Sequence, residues 1–449
     1  MSSETKRITK ARFNALCFSR HPIAEIMNQE VEWWSDKDEI VIGTVLFDLQ
    51  DKDWAVIVLG RDETGIFRAI DIDASIATQK QAGAILGKKI LAQTASGQKA
   101  FPQGDNRRKR HEILRPQVSE EKLHRNFKII QEGKHHEAAR RMIEEIALAF
   151  IDVDGNYAKD FQTTGFNARL WELYLFAFLY EQRFAISREF NRPDFCAIKW
   201  GFPIGIEACT VNPTEGEDRP NPKNEKEFKA FREEYMPIKF GSALFSKLQK
   251  KYWELPHMKG VPFILAIHDF SANDSMVWSA PALDEYLYGT RATWNKDANG
   301  KLHITEHPIA EHIWKDKRIP SGFFKLPGSE NIGAILFSNS ATVAKFNRIG
   351  VLAGFGRPDV RIFRMGARHH FDPDAVEPIP FNVEVLPGAY DENWSEGARL
   401  FHNPSALIPI PEDLFAGCAH HYFDGKQRKS YLPDGFIHQS ITHVIEITK

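Results

Sequence analysis

The first hundred residues contain short β-branched runs separated by turn residues, a pattern typical of strands. Glu39–Asp48 and Asp53–Gly60 are two such runs, and the four residues between them, LQDK, favour a hairpin. A third run, GIFRAIDI, follows at residues 65–72. The polar and charged segment 93–117 is typical of a linker. We therefore predict a strand-rich N-terminal domain with a basic linker over residues 1–115.

The segment 116–290 alternates helical and strand-like patterns, which predicts an α/β (α+β) domain. Helical spacing of apolar residues occurs at 118–131, 134–150, Phe166–Tyr180, 224–235 and 241–253. Strand-like runs occur at Arg192–Lys199, Ile204–Val211 and Pro262–Ile267. The segment Phe166–Tyr180 is the most apolar helix candidate of the chain.

The pattern is weaker after residue 290 and predicts a mixed C-terminal region over residues 291–449. The dipeptide Asn299-Gly300 lies between two extended runs and favours a hairpin. Asn331–Ser338 is typical of a strand, and Ala341–Ile349 of a short helix or loop. Many Pro and His residues in the last hundred positions predict a large share of loops.

The length and charge of the chain limit the functions that it could have. A length of 449 residues corresponds to two to four domains, and the net charge of -2 excludes a chain that attracts nucleic acid along its whole surface. Residues 105–142 nevertheless carry 11 Lys or Arg against 6 Asp or Glu, including the run 107–110. This basic segment is either a solvated linker face or a strip that contacts phosphates.

The sequence also predicts the cellular compartment. The chain has 4 cysteines without a CxxC pair, which favours a reducing compartment over a disulfide framework. No apolar run approaches the length of a membrane span, and the first residues lack the apolar core of a secretory signal. We expect a cytoplasmic protein that has no membrane partner.

Three acidic residues are the candidate metal ligands of this sequence. Glu172 lies beside the apolar positions of the predicted helix, where a carboxylate is rare unless it is paired or binds a metal. Asp194 and Glu207 lie on two successive predicted strands. Because side chains alternate between the two faces of a strand, Asp194 shares a face with Cys196, and Glu207 shares a face with Cys209. If the strands pair, the three carboxylates meet at one end of a sheet and offer Mg²⁺ the oxygen ligands that it prefers.

This arrangement resembles the PD-(D/E)XK (restriction-endonuclease-like) superfamily. A helix with a glutamate, a Pro-Asp strand, a Glu-Ala-Cys strand, a helix and a strand follow one another over about 110 of the 449 residues. The resemblance implies an αβββαβ core, Asp194 and Glu207 as metal ligands, and Glu172 as an accessory carboxylate. It further implies Mg²⁺ or Mn²⁺ as cofactor, hydrolysis of phosphodiester bonds in DNA, and a role in restriction or anti-phage defence.

The sequence departs from the family's motif at Cys209, which occupies the position of the family's lysine. Lys247 and Lys251 are four residues apart on the predicted helix 241–253, so either could supply the missing positive charge. The alternative is a catalytically inactive nuclease-fold protein that acts as a nucleic-acid-binding or scaffold module. The sequence leaves the assembly open between a monomer and a homo-oligomer.

Overall fold

The structure is a computed structural model that describes residues 5–105, 110, 112–153, 155–214, 220–272 and 274–447. Of the basic run 107–110, only Arg110 is among the described residues, so the two interpretations of that run lie largely outside them. None of the described helices is both long enough and apolar enough to cross a lipid bilayer.

The chain folds as a mixed α/β protein. Its strands within the described residues are β1 (Thr5–Arg7), β2 (Asn28–Asp36), β3 (Val41–Asp48), β4 (Trp54–Arg61), β5 (Phe67–Ile76), β6 (Ala185–Ser187), β7 (Phe195–Lys199), β8 (Phe202–Val211), β9 (Phe263–Asp269), β10 (Thr290–Lys296), β11 (Leu302–Pro308), β12 (Glu311–Trp314), β13 (Lys317–Pro320), β14 (Ala334–Ser338), β15 (Val360–Arg368), β16 (Ile379–Glu384), β17 (Arg399–His402), β18 (Ala419–Phe423), β19 (Arg428–Tyr431) and β20 (Ile437–Glu446). Its α-helices are α1 (Lys10–Leu16), α2 (Ile23–Met27), α3 (Gln79–Ala95), α4 (Arg125–Glu132), α5 (Glu137–Ala149), α6 (Tyr157–Gln162), α7 (Phe166–Glu181), α8 (Glu225–Ala230), α9 (Met236–Leu248), α10 (Ser279–Tyr288) and α11 (Val343–Leu352).

The N-terminal region is an antiparallel sheet of five strands in the order β1-β2-β3-β4-β5. The three strands expected from the sequence are confirmed as β3, β4 and β5. Helix α3 packs on this sheet through Ala82, Leu86 and Ile90, whose spacing of four residues places them on one face of the helix. The apolar pattern along the chain did not predict this helix, which makes the region α+β.

The centre of the molecule is a sheet of eight strands in the order β19-β18-β17-β14-β9-β8-β7-β6. The strands β6, β7 and β8 form an antiparallel meander, and β8, β9 and β14 are parallel. Four of the eight strands, β14, β17, β18 and β19, come from the region after residue 290. The segments 116–290 and 291–449 therefore share one sheet.

Two helical layers cover this central sheet, because alternate side chains of its strands are apolar on both faces. Ile206 and Ala208 of β8 face the layer that contains α5 and α7. Cys209 and Val211 of the same strand face the layer that contains α9 and α10. This three-layer arrangement places β8 between α7 and α9, where the candidate site lies.

The helices and strands predicted in the middle of the chain are confirmed, with different ends. Helices α8 and α9 are joined by a π-helical turn at Phe231–Tyr235, so residues 225–248 form one helical stretch. The predicted helix 241–253 is wrong at its end, because α9 stops at Leu248. Beyond residue 290, the Asn-Gly hairpin is confirmed as β10–β11, with Gly300 at φ 80°, and the predicted strand 331–338 contains β14.

Candidate functional site

Strands β7 and β8 bring Asp194 and Glu207 side by side. Phe195 pairs with Ile206, so Asp194 lies next to Glu207 across the two strands. The backbone N–H of Asp194 donates to Glu207 Oε2 over 3.1 Å, and Asp194 Oδ2 accepts a hydrogen bond of 2.8 Å from the N–H of Ala208. Each carboxylate is thus held by the backbone of the neighbouring strand, and the sheet fixes their separation.

Lys247 completes this pair of acids from helix α9. Its ammonium group lies 2.6 Å from Glu207 Oε1, while Glu207 itself is buried. Burial opposes the charge of Lys247, but attraction by Glu207 and the hydrogen bond between them outweigh it and raise the pKa of Lys247 above its usual value. Lys247 is therefore charged throughout the physiological pH range.

Burial and two neighbouring acids disfavour the ionised form of Asp194. Burial, repulsion by Glu207 and repulsion by Glu172 raise its pKa from 3.8 to about 8, although Lys247 and the Ala208 N–H act in the opposite direction. One lysine thus does not balance the acids of the site. A further cation would stabilise the ionised form of Asp194.

Glu172 faces the same site from helix α7 but has its own partner. Arg169 donates from Nη1 to both Glu172 oxygens, at 3.0 and 3.1 Å, and its Nη2 lies 2.7 Å from Asp160 Oδ2. Burial raises the pKa of Glu172, and the Arg169 charge opposes that shift. Among the residues that the structure describes, no three His, Cys, Asp or Glu side chains are grouped so as to hold one metal ion.

Cys209 is buried on the same face of β8 as Glu207. Burial raises the pKa of its thiol to about 12, so the side chain is neutral. Lys247, on a helix that follows the strand, brings a positive charge to Glu207 instead.

Lys251 makes no ion pair with Asp194 or Glu207 within the described ranges. It follows the end of α9 with a left-handed backbone at φ 49°, and it does not line the cleft that contains Asp194. Its ammonium group lies 3.4 Å from Glu254, and its side chain is 57% exposed. The prediction that Lys247 and Lys251 share one helical face is wrong, because the helix ends before Lys251.

A cleft of about 660 Å³ opens above Asp194, between α7 and α9 at the carboxyl end of β8. Its walls are formed by Asp160, Gly165, Ala168, Arg169, Trp171, Glu172, Asp194, Ala208, Cys209, Thr210, Val211, Asn212, Lys239, Ser242, Ala243, Ser246, Lys247 and Lys317. This position, beyond the carboxyl end of parallel strands, is where α/β proteins commonly bind ligands. The cleft leads from solvent to Asp194 and Lys247, whereas the buried Glu207 is not part of its walls.

Several residues of the site were not predicted from the sequence. Arg188 donates from Nη1 to the backbone carbonyl of Asp194 over 2.7 Å, and its guanidinium group packs 4.2 Å from the Phe150 ring and 4.5 Å from the Phe195 ring. Tyr252 lies close enough to Glu207 to interact with it, and burial together with that carboxylate raises the tyrosine's pKa to about 12. Neither contact leaves a periodic signal in the sequence.

Comparison with known proteins identifies no relative, since no protein family, curated protein sequence or solved structure matches this chain. Interpretation of the cleft therefore depends on its own residues. These are two adjacent carboxylates, of which Asp194 lines the cleft and Glu207 is paired with the charged Lys247.

Proposed function

We propose that this chain is a metal-dependent nuclease that hydrolyses phosphodiester bonds, with DNA as the favoured substrate. The observation that carries the proposal is the cluster of Asp194, Glu207 and Lys247, of which Asp194 and Lys247 line the cleft. The order α7, β6, β7, β8, α9, β9 supports it, because the same order is expected for a restriction-endonuclease-like core. A role in restriction or anti-phage defence stays a prediction from that resemblance.

The donor set fits Mg²⁺ or Mn²⁺. Asp194 and Glu207 have oxygen atoms, which hard divalent cations prefer, and burial together with repulsion by Glu207 and Glu172 raises the pKa of Asp194. Asp194 Oδ1 takes no hydrogen bond from the described part of the chain, so it is available to a ligand. When bound, the cation lowers the pKa of a water molecule and offsets the charge of the phosphate.

The residues of the chain have separate roles in this proposal. Asp194 and Glu207 hold the cation, and the backbone contacts between β7 and β8 keep the two carboxylates adjacent. Lys247 provides a fixed positive charge where negative charge develops on the phosphate during hydrolysis. Glu172 positions Arg169 at the wall of the cleft, through the two hydrogen bonds between them.

The second candidate function is nucleic-acid binding without catalysis, which the neutral Cys209 favours. In that case the contact between Lys247 and Glu207 would serve as a structural ion pair of the sheet and α9. The cleft would then bind a phosphate backbone without cutting it. Activity separates the two candidates, because both predict binding and only the first predicts hydrolysis.

Incubation of plasmid DNA with the purified full chain and Mn²⁺ tests the proposal. We expect nicking or linearisation by the wild type, loss of this activity with EDTA, and loss of it in Asp194→Ala. The matched control is Glu254→Ala, because Glu254 is an acid outside the cleft whose side chain is 62% exposed. Cleavage that persists in Asp194→Ala would refute the proposed site, and intact plasmid with the wild type would favour the binding module.

A further inference from the structure

Two lysines of the cleft have no carboxylate partner. Of the basic side chains that line it, Arg169 and Lys247 are paired with acids. Lys239 and Lys317 form no ion pair within the described ranges, and Lys239 only donates to Thr214 Oγ1 over 3.1 Å. Burial and repulsion by Lys317 both lower the pKa of Lys239, although Asp269 attracts its charge. This wall of the cleft is therefore suited to an anion.

Lys317 reaches the cleft on a short hairpin, β12–β13, which is anchored to the helical stretch that ends in α9. The buried His312 contacts the Glu233 carbonyl through Nδ1 at 2.8 Å and Ser321 Oγ through Nε2 at 2.9 Å. The Trp314 ring packs edge-on against Tyr235 at 5.3 Å. These contacts hold the hairpin along its length, including Trp314, which pairs with Lys317 beside the turn, so Lys317 has a defined position at the cleft.

Helix α9 presents a matching face. The residues that it contributes to the cleft are Lys239, Ser242, Ala243, Ser246 and Lys247, a spacing that places all of them on one side of the helix. The three small side chains leave open space between Lys239 and Lys247. Eight residues of helix separate those lysines by about 12 Å, which leaves room for a nucleic-acid strand to contact both.

We propose that the β12–β13 hairpin and the exposed face of α9 form a phosphate-binding wall for a nucleic-acid strand. Lys239 and Lys317 bind a backbone phosphate beside the one that faces Lys247. Lys239 lies eight residues along α9, about 12 Å, from Lys247, which leaves the reacting phosphate to Lys247. The inference deepens the proposed function by naming how the same site holds its substrate.

The salt dependence of binding tests this inference. Affinity of the full chain for a fluorescent DNA duplex is measured by anisotropy in EDTA, which prevents cleavage, over a series of NaCl concentrations. Each phosphate contact contributes about 0.9 to the slope of log affinity against log salt. We expect Lys239→Ala and Lys317→Ala each to reduce that slope by about this amount, and to weaken binding by about fivefold at low salt.

Two variants make the test specific. Lys317→Arg retains the charge and should retain the slope, whereas Lys250→Ala removes an exposed lysine outside the cleft and should leave the slope unchanged. An unchanged slope in Lys317→Ala, or an equal loss in Lys250→Ala, would overturn the inference. If the lysine variants lose slope but the wild type never cleaves plasmid, the phosphate-binding wall is supported and the proposed nuclease activity is refuted. If the wild type cleaves plasmid but the lysine variants keep its slope, the nuclease activity is supported and the wall is refuted.

Discussion

Lys247 is the residue on which the catalytic interpretation depends most. Its charge lies 2.6 Å from Glu207, on the same side of the sheet as the neutral Cys209. A neutral thiol cannot stabilise the charge of a phosphate in transit, whereas an ammonium group can. The positive charge beside Glu207 therefore comes from α9 and not from β8.

Removal of the Lys247 charge should abolish most of the cleavage activity. We expect Lys247→Met to cleave plasmid at least about 100-fold more slowly, the usual cost of losing one electrostatic contact to the transition state. Lys251→Met is the matched control, since Lys251 is exposed and outside the cleft, and it should stay within about twofold of the wild type. Equal losses in both variants would contradict this role for Lys247.

The raised pKa of Asp194 predicts a pH-dependent stability. Because the folded-state pKa of about 8 exceeds the usual 3.8, ionisation of Asp194 disfavours the fold, and stability falls as pH rises from about 4 to about 8. Asp194→Asn removes this ionisation. Above pH 8 in EDTA, its free energy of unfolding in urea should exceed that of the wild type by about 1–2 kcal/mol.

The exposed Glu254 provides the control for this effect, since its side chain is largely in solvent. The difference between Asp194→Asn and the wild type should be smallest near pH 4 and level off above pH 8. Above pH 8, the difference between Glu254→Gln and the wild type should be smaller than that of Asp194→Asn. A constant difference in Asp194→Asn would mean that the carboxyl group titrates normally.

At the scale of elements, helix α9 connects the acidic pair to the hairpin. Its apolar side packs in the core through Phe240 and Leu244, and its other side lines the cleft. Gly241 lies where the helix contacts both β13 and α10. A Cβ at that position would lie 2.6 Å from Ile319 Cδ1 and 2.9 Å from the Tyr286 hydroxyl.

Substitution of Gly241 should move the hairpin away from the cleft. We expect Gly241→Ala to destabilise the fold by about 1–3 kcal/mol, because the added methyl overlaps its neighbours. DNA binding should weaken in the same variant, since Lys317 is carried by β13. Gly87→Ala, in helix α3 with open space around its Cβ position, should instead stabilise by about 0.4–1 kcal/mol. A stabilised Gly241→Ala would refute this packing.

Local patterns predicted many elements and part of the site. The alternation that placed Asp194 and Glu207 on matching faces is a property of each strand, so it could be read from the sequence. The end of α9 could not, because Gln249–Lys251 suits a helix and the left-handed Lys251 is not marked by a glycine. The location of Lys317 in the cleft could not be predicted either. Lys317 is 70 residues after Lys247 in the sequence, and only a tertiary contact brings it to the cleft.

At the scale of the whole molecule, the central sheet unites distant parts of the chain. Strand β9 has β8 on one side and β14 on the other, and β14 in turn pairs with β17. One apolar core contains residues from Phe13 to Cys418. The local patterns did not predict this continuity, because strand pairing over long separations leaves no periodic signal.

This shared sheet predicts that the segment 116–290 does not fold alone. Without β14, the buried strand β9 would expose one edge and parts of both faces to water. We expect the isolated segment to lack a cooperative thermal transition, whereas the full chain should unfold cooperatively. A sharp transition in the segment, at a temperature close to that of the full chain, would contradict the continuity of the core.

The binding of Mn²⁺ to the full chain, measured by titration calorimetry, tests the central claim most directly. Asp194 and Glu207 should hold one ion, and its binding near pH 7 should release a proton, because Asp194 must ionise to act as a ligand. Asp194→Asn should bind at least about tenfold more weakly, and Glu254→Gln should bind as the wild type does. No Mn²⁺ binding by the wild type, or equal binding by Asp194→Asn, would contradict the account.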